Sequence, residues 1–303
     1  MKRTEPFDFH QPATLQEASR LVKDHGPGGR FLAGGTDLVI ALKEKGWLPK
    51  YVVDLKKIPD LAGIRENNDG SITIGALTTM REVEISPIIT KKYPFLAQSA
   101  AEVGSIQIRN RATIGGNMAN ATPSADTAPA LIALNAAAKM VGVDGERIVP
   151  LEEFFRGPGQ TVMSDDEILT EVTIPKTGAR LASDYIKFSP REMMDLAYVG
   201  VAVAYNLADP DHKCDSVRIV LGAVAPTPVR AKRAEAALEG QTLSEALAER
   251  VGAIAAEESR PISDVRSTAE YRRAMVGVMT KRALLNAAAG PVKSWVERRD
   301  RRY

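Results

Sequence analysis

Two double-glycine stretches constrain this chain more than any other feature: Arg30-Phe-Leu-Ala-Gly-Gly-Thr-Asp-Leu38 and, much later, Ala112-Thr-Ile-Gly-Gly-Asn117. In each, a short apolar run gives way to adjacent glycines and a small polar residue. A backbone needs that composition where it turns sharply and exposes consecutive N–H groups. Leu38-Val-Ile-Ala-Leu42 follows the first pair, which predicts a strand, a glycine turn and then a helix capped by Thr36. Free amides and the positive end of the helix dipole then both face the glycines and suit an anion. One Gly-Gly pair alone is most often an ordinary loop. Two of matching chemistry point to a phosphate ligand of dinucleotide size.

Composition narrows the function classes. The 303 residues are 44% hydrophobic and 26% charged, enough for two or three small domains with proper cores. Forty Lys and Arg against 38 Asp and Glu leave a net charge of +2, without the concentrated basic field that nucleic acid requires. No apolar run approaches a membrane span, and Met1-Lys-Arg-Thr-Glu-Pro-Phe-Asp8 lacks the apolar centre of a signal peptide, so the expected location is cytoplasmic. One cysteine and three histidines exclude an iron–sulfur cluster, a structural zinc site and an internal disulfide. Cys214 and His212 fall in a turn-like stretch and read as surface residues.

Taken in order, the pattern predicts a strand at Phe7–Phe9, a helix opened by the Thr14/Glu17 capping spacing, a strand at 30–32, a helix over 37–45 and a strand at 51–55. That is a small βαβαβ-like unit, residues 1–57. Hairpins around Asn67-Asn-Asp-Gly70 and Asp144-Gly145, helices at 94–103 and 129–134, and a strand at 168–174 make a second unit, 58–178. Strands at 185–188, 197–207 and 216–223, then helices at 228–238, 243–257 and 268–288, predict a three-stranded antiparallel sheet backed by helices over 179–290. Residues 291–303 form a basic tail of low apolar content, read as flexible or as a docking segment. The fold class is α+β.

Neither GxGxxG with a following acidic residue nor GxxxxGK[ST] occurs, so the phosphate site is of neither the Rossmann nor the P-loop type. Ala33-Gly-Gly-Thr-Asp-Leu38, Thr113-Ile-Gly-Gly-Asn-Met-Ala-Asn-Ala121 with Ser124-Ala-Asp126, and Leu221-Gly-Ala-Val-Ala-Pro-Thr-Pro-Val-Arg230 together resemble the FAD-binding medium subunit of the xanthine dehydrogenase and carbon monoxide dehydrogenase family of molybdenum hydroxylases. The resemblance runs from about residue 6 to about residue 288. It implies a two-subdomain FAD-binding region of the vanillyl-alcohol oxidase (PCMH) type and a smaller α+β C-terminal domain, with FAD between them. By the family pattern, Leu32, Ala33, Gly34, Gly35, Thr36, Asp37 and Leu38 hold the pyrophosphate. Thr113, Gly115, Gly116 and Asn117 wrap the other side, Asp126 accepts from the sugar-like hydroxyls, and Leu169 and Lys187 approach the flavin ring. The same residues also have plainer readings: Asp126 as a helix cap, Lys187 as a solvated strand residue, Leu169 as core and Asn117 as a loop-bonding side chain. Arg109, Arg111 and Arg191 read as salt-bridged or partner-facing.

The loops offer no His or Cys for a covalent flavin, and Met118 to Asp126 carries no cysteine-rich insertion for an extra cluster. The resemblance therefore implies a non-covalent FAD subunit without catalytic residues or metal of its own. The molybdenum cofactor belongs to a large partner subunit and two [2Fe–2S] clusters to a small one, in a dimer of heterotrimers. Electrons pass to an acceptor such as NAD, with quinone, ferredoxin and oxygen as rivals. Two other readings stay open: a self-contained flavin oxidase or reductase, and a scaffold that has lost FAD.

Overall fold

The computed structural model describes residues 6–44, 49–178, 180–191, 193–208 and 213–290. The basic tail and His212 lie outside these residues. Three main sheets organise the described chain, beside a two-stranded ribbon of Phe155–Gly157 and Gln160–Thr161. The first is small and parallel: strands Asp8–His10, Gly29–Leu32 and Tyr51–Asp54, the last in the middle. Helix Leu15–His25 connects the first two strands and helix Leu38–Glu44 the second pair. Thr14 caps the first helix by accepting from the Glu17 N–H. Glu17 reaches back to the Ala13 N–H, one residue before the capping position expected of a strict box. Helix Leu38–Glu44 begins at Leu38, so Thr36 lies in the preceding turn and makes no side-chain hydrogen bond among the described residues, contrary to the capping role expected of it.

The second sheet is antiparallel and five-stranded, in the order Ile64–Glu66, Ile72–Gly75, Ile168–Ile174, Ala137–Gly142, Gly145–Pro150. Helices Met80–Ile85, Pro94–Ala101, Ile114–Asn120 and Thr127–Ala133 share its core, with Ile72, Ile74, Met80, Leu96, Ile114, Met118, Leu131 and Val172 buried in one cluster. The fully formed capping box Thr79/Glu82 opens the first of these helices.

The third sheet holds Leu181–Phe188, Val199–Ala208, Lys213–Gly222 and the two-residue strand Val229–Arg230, all antiparallel. The fourth strand was not foreseen: it takes up the start of the helix expected at 228, which begins only at Lys232, because Val229 and Arg230 pair with Leu221 and Val220. Strand Lys213–Gly222 also starts three residues earlier than its turn-like composition predicts, and Cys214 is buried in it, bonding to the Ser216 carbonyl. The expected surface position of Cys214 is therefore corrected.

Both faces of this sheet are covered. Tyr185, Ala202, Ala204 and Val220 join the core of the second sheet's helices. Val199, Val201, Val203, Tyr205, Ile219 and Leu221 alternate with them and pack on helices Glu245–Glu258 and Ala269–Ala288. A strand buried on both faces reads as a near-continuous apolar run, as strand Val199–Ala208 does from Val199 to Tyr205. The two long helices meet at Gly252 and Gly277, where a Cβ on Gly252 would stand 2.5 Å from the Gly277 carbonyl oxygen.

Candidate functional site

The first glycine turn sits at the C-terminal edge of the parallel sheet, between strand Gly29–Leu32 and helix Leu38–Glu44. Gly35 has φ +78°, which L side chains rarely adopt. Gly34 has another reason: a Cβ there would lie 2.0 Å from the Arg111 carbonyl oxygen. The first turn is thus pressed against the residues that lead into the second, and Ala33 Cβ approaches the Cβ position of Gly116 to 3.8 Å. Among the described residues, the N–H groups of Gly34, Gly35 and Thr36 have no protein acceptor. Consecutive unpaired amides at the end of parallel strands make an anion cradle.

The second pair behaves differently from expectation. Gly115 and Gly116 lie in the first turn of helix Ile114–Asn120, capped by Thr113 Oγ1, which accepts from Gly116 at 3.1 Å. The Ile114 amide bonds to Thr78, Gly115 to Ala76 and Asn117 to Thr113. Every amide of this turn already has a partner, so it forms a close-packed wall rather than a second cradle. Gly115 is required by contact: a Cβ would meet Ala76 Cβ at 2.5 Å.

From this wall a line of bonds leads to the remaining predicted residues. Asn117 Oδ1 accepts from the Thr127 hydroxyl at 2.7 Å, so its side chain ties two helices together instead of bonding within its loop. Asp126, next in line, makes no capping bond to helix Thr127–Ala133. Its buried carboxylate accepts from Tyr185 Oη at Oδ1 and from Lys187 Nζ at Oδ2, both at 2.9 Å. Lys187 also donates to the Glu102 carbonyl at 2.9 Å and is not a solvated strand residue. A carboxylate offers about four lone-pair sites and an ammonium three donors. Asp126 therefore retains acceptor capacity and Lys187 one donor. Burial pushes the Asp126 carboxyl up, Lys187 and then Tyr185 pull it back, and the nearby Glu102 raises it again, leaving it at about 6.

Leu169 is buried opposite Met140, at the bulge in strand Ile168–Ile174. The strand reaches the glycine wall through Thr170, whose carbonyl accepts from Ala76. Asp37 is exposed on the turn and Leu38 starts the helix. Of the arginines, Arg109 is buried and paired with Glu84 at 2.9 Å, Arg191 pairs with Asp195 at 3.3 Å on the surface, and the Arg111 side chain is exposed. Two residues escaped the sequence reading. Tyr185 lies two positions before Lys187 on the same strand face, a spacing that marks it in retrospect. Lys56 donates to the Ala33 carbonyl at 3.3 Å and pairs with Asp54 at 2.5 Å, placing a cation beside the amide-bearing turn. Its signal was the short Asp54-Leu-Lys56 run closing a parallel strand.

The geometry can be set beside known proteins. A family model described as the FAD binding domain in molybdopterin dehydrogenase matches residues 5–177. The chain belongs to this family. A second model, the CO dehydrogenase flavoprotein C-terminal domain, matches residues 184–287. The carbon monoxide dehydrogenase medium chain of Hydrogenophaga pseudoflava is 33% identical over 93% of this chain and 96% of its own length. The putative xanthine dehydrogenase FAD-binding subunit of Escherichia coli K12 is 33% identical over 93% and 97%. Among solved structures, carbon monoxide dehydrogenase from H. pseudoflava superposes with a TM-score of 0.91 at 34% identity, covering 95% of this chain and 99% of that one. Quinoline 2-oxidoreductase from Pseudomonas putida 86 gives 0.89 at 29% identity, covering 96% and 99%. The chain is thus an FAD-binding subunit of the molybdopterin dehydrogenase family, with the α+β fold expected. The residues present fit the cofactor: unpaired amides suit its pyrophosphate, and a partly satisfied buried carboxylate suits its hydroxyls.

Proposed function

We propose that this chain carries non-covalent FAD and serves as the electron-transfer subunit of a multi-subunit molybdenum hydroxylase. Bound FAD would take electrons from [2Fe–2S] clusters of a small partner subunit and pass them to an external acceptor such as NAD, while a large subunit holds the molybdenum cofactor. The observation that carries the reading is the run of unpaired amides at Gly34, Gly35 and Thr36, joined by continuous contacts to the Asp126–Lys187 pair. Those amides bind the pyrophosphate. Leu32, Ala33, Asp37 and Leu38 shape the turn that presents them, and Thr113, Gly115, Gly116 and Asn117 supply the small wall against which the dinucleotide lies. Asp126 accepts from ribityl or ribose hydroxyls with its remaining lone pairs. Lys187 sets positive charge beside the flavin, which favours its reduced anionic form, and Leu169 gives the ring an apolar neighbour. Partner assembly as a dimer of heterotrimers and a cytoplasmic location belong to the same reading.

The test is a visible spectrum of the chain purified alone and with co-expressed neighbouring subunits, followed by acid precipitation. The expected result is flavin absorption released by acid, with iron–sulfur absorption only in the co-purified complex. A colourless chain that refuses added FAD overturns the proposal. Anaerobic mixing of the reduced complex with NAD, quinone, ferredoxin or oxygen identifies the acceptor: NAD is expected to reoxidise the flavin fastest.

A further inference from the structure

We propose that Tyr185 is a positioning residue of the flavin site, its hydroxyl holding the Asp126 carboxylate ionised and oriented for the cofactor's hydroxyls. The inference rests on the FAD reading above and deepens it. Tyr185 is 1% exposed, and packing alone would be served equally by phenylalanine. Its hydroxyl donates to Asp126 Oδ1, while its backbone carbonyl accepts from Gln98 Nε2 at 2.7 Å, so the residue is anchored at both ends. Space is reserved for the oxygen: a Cβ on Gly200, across the sheet, would stand 3.3 Å from it.

Asp126 belongs to the part of the chain built on the second sheet, whereas Tyr185 and Lys187 both come from strand Leu181–Phe188 of the third. The two donors enter on different oxygens, which fixes the carboxylate plane and directs the remaining lone pairs. The charged groups facing Asp126 are Lys187 from that strand and Glu102 from the end of helix Pro94–Ala101, and they oppose each other. Lys187 is shared with the Glu102 carbonyl. Tyr185 is therefore the one donor committed to Asp126 alone among the described residues. With this hydrogen bond in place the carboxyl stands at about 6, burial raising it and Lys187 and Tyr185 lowering it, so loss of the Tyr185 bond moves its titration further up.

The experiment titrates FAD into the full chain stripped of flavin, following flavin fluorescence from pH 5.5 to 8.5, for the wild type, Tyr185→Phe, Gly200→Ala and Asp126→Asn. Wild-type affinity is expected to fall as the pH drops through about 6. In Tyr185→Phe the same curve is displaced upward by about one unit, a tenfold change in proton affinity, with little loss at the alkaline end. Gly200→Ala keeps the ring, crowds the hydroxyl and shifts the curve in the same direction, so the test survives if Tyr185→Phe does not fold. Asp126→Asn removes the pH step. If Asp126→Asn weakens binding while both Tyr185→Phe and Gly200→Ala overlie the wild type, the positioning role is overturned and the FAD reading stands. If Asp126→Asn itself binds FAD as the wild type does, Asp126 is not a ligand and the positioning role falls while the FAD reading stands; a wild-type chain that takes up no FAD overturns the FAD reading instead.

Discussion

At the scale of single residues, the two glycines of the first turn look alike in the sequence but work differently. Gly34 is dictated by contact with the Arg111 carbonyl, Gly35 by its positive φ. Gly34→Ala should cost about 1–3 kcal/mol through overpacking and weaken FAD binding in step, because the turn must back away from its neighbour. Gly35→Ala should cost about 1–2 kcal/mol from backbone strain. Urea denaturation of the flavin-free chain measures both, and a neutral Gly34→Ala would show that the loops are not in contact. Cys214 gives another residue-scale prediction. Burial pushes its thiol up to about 12, so it should not react with a thiol-specific disulfide reagent in the native chain at pH 8, and should react fully after denaturation. The turn-like composition around Cys214 hid its place in a strand, since local residue types report on chain reversal but not on which neighbour lies beneath.

At the scale of elements, the periodic signals were legible and the contacts between elements were not. Helix Leu15–His25, the hairpins at Asn67–Gly70 and Asp144–Gly145 and strand Ile168–Ile174 follow from spacing that acts within a few residues. Helix Ile114–Asn120 was missed because two glycines disfavour a helix. It is held instead by its Thr113 cap and by the Ala76 and Thr78 carbonyls of a distant segment. Thr113→Ala should therefore lower stability by about 1 kcal/mol while Thr113→Ser restores it, read from the midpoint of chemical unfolding. The candidate site was legible as far as the family motifs reach: Gly34, Gly35, Asp126 and Lys187 were singled out. That Asp126 and Lys187 bond to each other was not, for they lie 61 positions apart and meet only when two sheets dock.

At the scale of the molecule, the third sheet is joined to the rest by charge as well as by apolar packing. Glu152, at helix Leu151–Phe154, receives Arg230 and Lys232 at 2.9 Å and Arg218 at 3.5 Å. Burial alone raises its carboxyl, but the hydrogen bonds from Lys232 and Arg230 outweigh that and hold it below the ordinary glutamate value. A depressed carboxyl lends stability above its unfolded-state value and loses it as the pH falls through the lower, folded value. Glu152→Gln should remove that acid-dependent part. It should also cost about 1 kcal/mol at pH 7, modest because the group is partly exposed. Calorimetry of the variant should separate the melting of the third sheet with its helices from that of the other two, whereas a single unchanged transition would assign their coupling to apolar packing alone.

The first glycine turn takes its final shape only against a carbonyl that belongs to a much later segment, and the Asp126 carboxylate only against a strand from the next sheet. The site is therefore built from contacts of high sequence separation, which form late on the way to the native chain. FAD cannot nucleate folding in such an arrangement. It binds a site complete only in the native chain, so it should slow unfolding while leaving the refolding rate nearly unchanged.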